Sequence, residues 1–378
     1  MKSKLAASRP HQHIANALLF AVALLRSSFI PHPSSLLFGL CLIAAAPAAI
    51  AQEPKTLAAL AAYDGADRTQ RLAAGARREG VLNLYTSLTV EDMAALNGAF
   101  EKRYGVKVRM WRAASEKVVQ RAVAEAKSAR FEMDVVECNA PALEMLRREG
   151  LLQAVRSPHH ADLIPAAVPA HREWVGARLN VFVHAYNTRL VRKEELPATY
   201  GDLLHPRWKG RLAIEASDED WFAGIVQSMG EEKGLKLFRD LVATNGLSVR
   251  RGHTLLTNLV ASGEVPFALT VYNFTAEQVK QKGAPLDWFV LPPAIARANG
   301  VAVARRAPHP YSALLYYEFM IGEEGQRILL QRDFVPASRK LDTPLNRGPL
   351  TIIDAALLID QGERWAKLYD EIIVKAHK

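Results

Sequence analysis

From residue 81 onwards the chain alternates between short apolar runs and longer amphipathic stretches. The run at 81–85 predicts a buried strand, and the stretch at 89–105 predicts a helix, because its apolar residues recur at helical spacing. Thr89 and Asp92 have the spacing of a capping pair at the start of this helix. Further strands are predicted at 106–111 and 133–137, with helices at 115–129 and 141–150. Such alternation is typical of a parallel sheet with right-handed crossovers.

The pattern changes at 179–188, where a run rich in β-branched and aromatic residues predicts a long strand leading into a second lobe. Strands at 211–216 and 265–272 belong to that lobe, and the extended apolar stretch at 286–310 returns the chain to the first. One helix at 311–330 and a last helix at 349–376 are predicted to close the chain.

These elements predict an α/β fold class with two α/β lobes, whose central mixed or parallel sheets are joined by a hinge. Lobe 1 is predicted to comprise 52–180 together with 294–335, and lobe 2 to comprise 181–293. Residues 336–378 are predicted to form a C-terminal helical segment.

Residues 1–51 are predicted to be a signal peptide, because basic residues precede an apolar run that ends in Ala49-Ile50-Ala51. A retained membrane anchor is the alternative. Removing this segment leaves 44 basic and 39 acidic residues without a dense basic run, which argues against nucleic acid as a partner. Cys138 is then the single cysteine, so no internal disulfide is expected in this exported chain.

Ligands of open parallel sheets collect beyond the carboxyl ends of strands, where loops lead into helix N-termini. That rule selects loops after the predicted strands at 81–85, 133–137, 211–216 and 265–272. The candidate ligand-binding residues are Tyr85, Thr86, Ser87, Thr89, Trp111, Glu137, Cys138, Asn139, Ser217, Asp218, Asp220, Trp221, Tyr272, Asn273 and Arg297. The histidines, among them His253, have no regular ligand spacing and are interpreted as surface or satisfied core residues.

A family resemblance extends over nearly all of the chain after residue 51, and the stretches that carry it include LNLYTS near the start, PATYGDLLHPRWKGRLAI at 197–214, GEVPFALTVYN, and the EEGQRIL helix. The chain resembles periplasmic solute-binding proteins of ABC importers, in the type II two-lobed branch that contains the ferric-ion-binding proteins. The resemblance implies a periplasmic monomer that carries ferric iron or a ferric chelate as cargo, with no cofactor. It also implies an ABC permease and its ATPase in the inner membrane as partners.

Ferric binders of this family offer a donor in the first loop, a carboxylate after the third strand and two adjacent tyrosines at a strand-to-helix junction. In this chain Ser87 or Thr89, Glu137, and Tyr272 followed by Asn273 stand at these places. The resemblance and the loop rule together make Glu137, Asp218 and Tyr272 the candidate metal ligands. The acidic residues at 215–220 either add oxygen donors or only complement a helix dipole.

Other functions are less well supported by the sequence. A small organic cation, such as a polyamine or thiamine, is the alternative solute on the same scaffold. The sequence contains no GxSxG, HExxH or P-loop motif, so it predicts no enzyme. A sensory ligand-binding module would use the same cleft.

Overall fold

The computed structural model describes residues 56–346 and 350–375, so the predicted signal peptide lies outside the described residues. Within them, no helix has the length and apolar character needed to cross a bilayer. The strands are β1 (Val81–Thr86), β2 (Lys107–Arg112), β3 (Val135–Asn139), β4 (Leu152–Gln153), β5 (Val175–Asn187), β6 (Leu212–Glu215), β7 (Ser248–Arg250), β8 (Phe267–Tyr272), β9 (Leu286–Phe289), β10 (Ala294–Ala304), β11 (Val335–Pro336) and β12 (Leu350–Ile352).

The α-helices of the described residues mostly alternate with these strands. They are α1 (Leu57–Ala62), α2 (Arg68–Glu79), α3 (Val90–Tyr104), α4 (Ser115–Lys127), α5 (Ala140–Arg148), α6 (Glu219–Met229), α7 (Glu231–Asn245), α8 (His253–Ser262), α9 (Asn273–Gln281), α10 (Pro310–Ile321), α11 (Glu323–Gln331) and α12 (Ala355–Tyr369). At the start of α3, the Thr89 hydroxyl accepts from the Asp92 amide at 3.2 Å, which confirms the predicted cap.

The strands form one mixed sheet whose main path is β2-β1-β3-β10-β5-β8-β6-β7. The long strand β5 is buried along its whole length, and it pairs antiparallel with both β10 and β8. Since β3 is antiparallel to β10, the first strand group (β1, β2, β3) runs opposite to the second strand group (β6, β7, β8). β5 pairs with β10 through residues 175–181 and with β8 through residues 182–186, so the carboxyl ends of β3 and β8 both lie near the middle of β5.

The mixed sheet with helices confirms the predicted α/β class. The lobe boundaries, 52–180 plus 294–335 and 181–293, remain a prediction. Two element predictions are wrong in detail, and each has a structural cause.

The stretch predicted as one helix at 311–330 forms two helices, α10 and α11. They part at Gly322, where a β-carbon would lie 2.8 Å from the carbonyl oxygen of Glu318, so the chain turns at a residue without one. The predicted last helix begins later than expected, because Leu350–Ile352 forms β12 beside β10. Asp354 then caps α12 by accepting from the Ala356 amide at 2.8 Å.

Candidate functional site

Three side chains of the second strand group converge at its carboxyl ends. Glu215, Asp218 and His253 each offer one ligand atom, and these atoms all lie within 4.8 Å of one another. Among the described residues, this is the group of His, Cys, Asp and Glu that meets the spacing of a metal site. Glu215 ends β6, Asp218 precedes α6, and His253 opens α8 just after β7, so the β6–α6 loop and the β7–α8 loop build the cluster.

The Glu215 carboxylate is held in place by main-chain donors. Its Oε1 accepts from the Gly252 amide at 2.8 Å, and its Oε2 accepts from the Ser217 amide. The Glu215 amide in turn donates to Thr270 Oγ1 on β8 at 3.1 Å. Each carboxylate oxygen has two lone pairs, so these bonds leave further acceptor positions for a ligand.

The main-chain carbonyl of Glu215 is bonded from another part of the chain. It accepts from the hydroxyl of Tyr369, at the end of α12. Burial raises the pKa of the Tyr369 phenol well above its ordinary value, and the nearby carboxylates raise it further. The hydroxyl therefore keeps its proton and acts as a donor.

Asp218 orients the imidazole of His253. The His253 Nε2 lies 2.9 Å from Asp218 Oδ1 and 3.2 Å from Asp218 Oδ2, and Asp218 is fully buried. Two ligand atoms at right angles, each about 2.1 Å from one metal ion, are about 3 Å apart. The observed separation therefore suits a shared ion as well as a shared proton.

Tyr272 lies beside this cluster, at the junction of β8 and α9. Its ring stacks on the His253 ring, with the centroids 3.9 Å apart and the planes at 20°. The Phe182 ring lies 5.3 Å from the Tyr272 ring, so an aromatic wall stands next to the carboxylates.

A second acidic pair, Glu219 and Asp220, lies next to the cluster, and Asp220 contacts the central strand β10. Arg297 on β10 places its Nη1 2.8 Å from Asp220 Oδ2, and its Nε has no hydrogen-bond partner among the described residues. Burial raises the pKa of Asp220, while Arg297 lowers it. Burial also raises the pKa of Glu219 to about 7, and the negative charges of Asp220 and Asp218 add to this rise. With one guanidinium beside several carboxyl groups, the site favours a cation.

Glu137, the candidate ligand on β3, is not a member of the cluster. It is only 1% exposed, its Oε1 accepts from Arg178 Nη2 at 2.9 Å, and its Oε2 accepts from the hydroxyl of Thr86 at 2.6 Å. The Leu88 amide also donates to Oε2 at 3.3 Å. The chain thus neutralises this carboxylate with its own groups.

Four further candidates of the first strand group have structural roles. Asn139 caps α5 by accepting from the Ala142 amide at 2.9 Å, and Thr89 caps α3. The Ser87 amide donates to the main-chain carbonyl of Glu137 at 3.0 Å. Cys138 is fully buried, and burial raises the pKa of its thiol well above the ordinary value, so the thiol stays protonated.

Tyr85 and Trp111 form a separate contact in the first strand group. Their ring centroids are 5.1 Å apart, and the guanidinium of Arg121 lies over both rings. The Tyr85 hydroxyl donates to Glu125 Oε1 at 2.6 Å. Tyr85 and Trp111 therefore contact each other and Arg121, whereas Tyr272 contacts the cluster.

The remaining candidates divide between core and junction. Trp221 is 1% exposed and its ring lies 5.6 Å from that of Phe238, so it belongs to the core. Asn273 accepts from the Val181 amide at 3.1 Å and donates to the Asp333 carbonyl at 3.0 Å, which ties α9 to the central strand. Ser217 is exposed, and its main-chain amide donates to Glu215.

His253 is the cluster member that the sequence reasoning missed, because its spacing matched no linear motif. The strand-end rule contains the signal that finds it. His253 comes after β7 as directly as Asp218 comes after β6 and Tyr272 ends β8, and the loop after β7 was not among those selected.

Comparison with known proteins places this architecture in a family. The model of the family described as bacterial extracellular solute-binding protein matches residues 133–355. The iron uptake protein A1 of Synechocystis sp. is 25% identical over 273 residues, which are 67% of this chain and 74% of that protein.

Solved structures show the same fold. Iron-bound HitA from Pseudomonas aeruginosa is 24% identical with a TM-score of 0.67, over 77% of this chain and 99% of that one. The periplasmic binding protein AfuA from Actinobacillus pleuropneumoniae, solved with fructose-6-phosphate bound, is 22% identical with a TM-score of 0.67, over 78% and 99%. These likenesses confirm the predicted two-lobed fold class.

Proposed function

We propose, from the premise that this chain belongs to the family of bacterial extracellular solute-binding proteins, that its solute is ferric iron or a ferric chelate. The protein works as a monomer in the periplasm and hands its cargo to an ABC permease and its ATPase. Iron is cargo in this proposal, and the protein needs no cofactor. The Synechocystis relative is an iron uptake protein, and this supports the choice of metal.

The observation that carries the proposal is the convergence of Glu215, Asp218 and His253. Two carboxylates and an imidazole form a donor set that suits a transition-metal cation, because carboxylate oxygen and imidazole nitrogen both ligate iron. An anionic solute at this point would meet two buried carboxylates and be repelled.

Each donor has a definite part in binding. The metal takes the position of the hydrogen between His253 Nε2 and Asp218, so the imidazole binds through Nε2 and carries its N–H on Nδ1. Glu215 adds a carboxylate whose direction is already set by two amides. Tyr272 is proposed as the phenolate donor, since a phenol with an ordinary pKa near 10 ionises at neutral pH only beside a strong cation.

Transport requires that the cargo favour a closed form over an open one. The cluster belongs to the second strand group, and the first strand group faces it across β5 and β10. A solute that contacts both groups only when they approach shifts the equilibrium toward closure by its differential affinity. A binding protein returns its solute unchanged, so no turnover is proposed.

The test is a titration of the purified mature protein with ferric citrate. A tyrosinate bound to ferric iron absorbs visible light, so we expect a coloured complex whose band is lost in Tyr272→Phe. His253→Gln should bind iron more weakly, because the imidazole donor is gone. Asp240→Asn on α7 is the matched control: it removes a partly exposed carboxylate of the same half of the molecule, and it should leave the band unchanged.

A colourless wild-type protein whose thermal unfolding does not respond to ferric citrate would contradict the iron proposal. The second candidate is then a small organic cation, such as a polyamine or thiamine. The rings of Tyr272 and Phe182 already have the Arg297 guanidinium over them beside the acidic pocket, and this favours the alternative, because aromatic faces attract cations. A thermal-shift panel of metal ions and organic cations separates the two, since only one class should raise the midpoint.

A further inference from the structure

The C-terminal helix α12 reaches the Glu215 loop from a distant part of the sequence. The Tyr369 hydroxyl at the end of α12 donates to the Glu215 carbonyl, 154 positions away along the chain. The Tyr369 ring is buried and lies 5.5 Å from the Phe222 ring on α6. Since α6 begins one residue after Asp218, Tyr369 contacts the segments on both sides of the 215–218 loop.

Helix α12 is itself anchored at several points. Arg148 on α5 places its Nη1 2.7 Å from Asp360 Oδ1, and Arg364 forms an ion pair with Glu231 on α7. The buried Trp365 ring lies 6.2 Å from the ring of Phe222. The Tyr369 hydroxyl therefore projects from an element held by α5, α6 and α7.

The Glu215 carbonyl matters because the next two residues of the chain depend on its orientation. The Ala216 amide, which shares a peptide plane with this carbonyl, donates to the Arg250 carbonyl at 2.8 Å, and the Ser217 amide donates to the Glu215 carboxylate. The orientation of the Glu215 peptide thus sets both the pairing with β7 and the direction of the carboxylate. Removing the Tyr369 donor from this carbonyl gives that peptide more freedom to rotate.

We propose that Tyr369 is a positioning residue of the cation site. Its hydroxyl fixes the main chain at Glu215, so that the carboxylate faces Asp218 and His253 before the cation arrives. This inference rests on the proposed function, because it concerns the affinity of that same site for ferric iron.

The test compares two variants that each remove one buried tyrosine hydroxyl. Tyr369→Phe keeps the ring against Phe222 and removes the donor to Glu215. Tyr316→Phe is the matched control, because the Tyr316 hydroxyl on α10 donates to Asn97 Oδ1 at 2.6 Å, away from the cluster. We expect the thermal midpoint to fall comparably in both variants. Ferric-iron affinity, measured by competition with citrate, should fall about 2- to 10-fold in Tyr369→Phe alone.

A second measurement uses the metal-free protein. Amide hydrogen exchange at Ser217 and Gly252, the donors to the Glu215 carboxylate, should be about 2- to 10-fold faster in Tyr369→Phe than in the wild type or in Tyr316→Phe. If the wild type fails to bind ferric iron, the proposed function fails, and the exchange rates alone decide whether Tyr369 orders the carboxylate. Unchanged exchange, or faster exchange with unchanged iron affinity, would overturn the inference.

Discussion

The two strand groups each bury a glutamate in the carboxyl-terminal half of a strand, but the two carboxylates have different surroundings. Glu137 on β3 is 1% exposed and Glu215 at the end of β6 is 4% exposed. Glu137 is neutralised by Arg178 from β5 and bonded by Thr86. Glu215 is bonded by two amides and lies next to the second carboxylate of Asp218, and no arginine of the described chain forms an ion pair with either.

The comparison shows that a position at a strand end does not by itself make a ligand. Burying a carboxylate is costly unless an opposite charge or several donors compensate it. In the first strand group, the protein supplies the opposite charge. In the second, the carboxylates around Asp218 outnumber the cationic groups, and a bound cation would supply the missing charge.

The largest effect is expected from a substitution in the first strand group, where Arg178 neutralises Glu137. Glu137→Gln should lower the free energy of unfolding by about 3–5 kcal/mol, because it leaves the buried Arg178 without its carboxylate. Denaturant unfolding measures this loss, and iron affinity should stay within about twofold of the wild type. The double variant Glu137→Gln with Arg178→Met removes the unpaired charge and should recover part of the stability. If the Glu137→Gln protein stayed stable but no longer bound iron, Glu137 would be the metal ligand and the proposed role of the cluster would be wrong.

The next largest effect is expected from a substitution in the second strand group, at the cluster of Glu215, Asp218 and His253. Asp218→Asn should weaken ferric-iron binding by about 100-fold, since one anionic donor and the orientation of His253 are both lost. The free energy of unfolding of the metal-free protein should change by less than about 1 kcal/mol, because the asparagine removes a buried charge from an acidic cluster. Competition titration and denaturant unfolding measure the two quantities. Unchanged iron affinity would show that the cluster is not the metal site.

A smaller effect distinguishes the two strand-end tyrosines. Tyr85→Phe loses the hydrogen bond to Glu125 and should lower the free energy of unfolding by about 1 kcal/mol. Its ferric complex should keep the visible band of the wild type, whereas Tyr272→Phe should lose that band. Loss of the band in Tyr85→Phe would place the phenolate donor in the first strand group instead.

The last expected effect is a dependence of the stability of the metal-free protein on pH. Burial raises the pKa of Glu219 to about 7 from an ordinary value near 4.5. Protonation therefore favours the folded state at low pH, and this contribution is lost as the pH rises through about 7. The thermal midpoint of Glu219→Gln relative to the wild type should accordingly be higher at pH 8 than at pH 5. A constant difference between the two proteins across that range would show that Glu219 does not titrate in this way.

The local pattern predicted most elements, because helix periodicity, caps and strand runs are properties of neighbouring residues. The helix after Thr89 begins where its capping pair predicts. The single helix expected at 311–330 is wrong because the break at Gly322 depends on local crowding by the Glu318 carbonyl, which apolar periodicity does not register. The start of α12 was misplaced because β12 forms by pairing with β10, a distant strand.

By itself, the sequence determined the α/β class and the loops in which a ligand site was to be sought, since strand ends and helix starts are set by local periodicity. It also placed Asp218 and Tyr272 among the candidates. Only the tertiary structure decided that Arg178 neutralises Glu137, that His253 meets Asp218 and that Tyr369 holds Glu215. Those contacts join residues between 35 and 154 positions apart, and they depend on strand register and helix packing. The groups that compensate a buried charge are thus distant in sequence, and a linear motif cannot predict them.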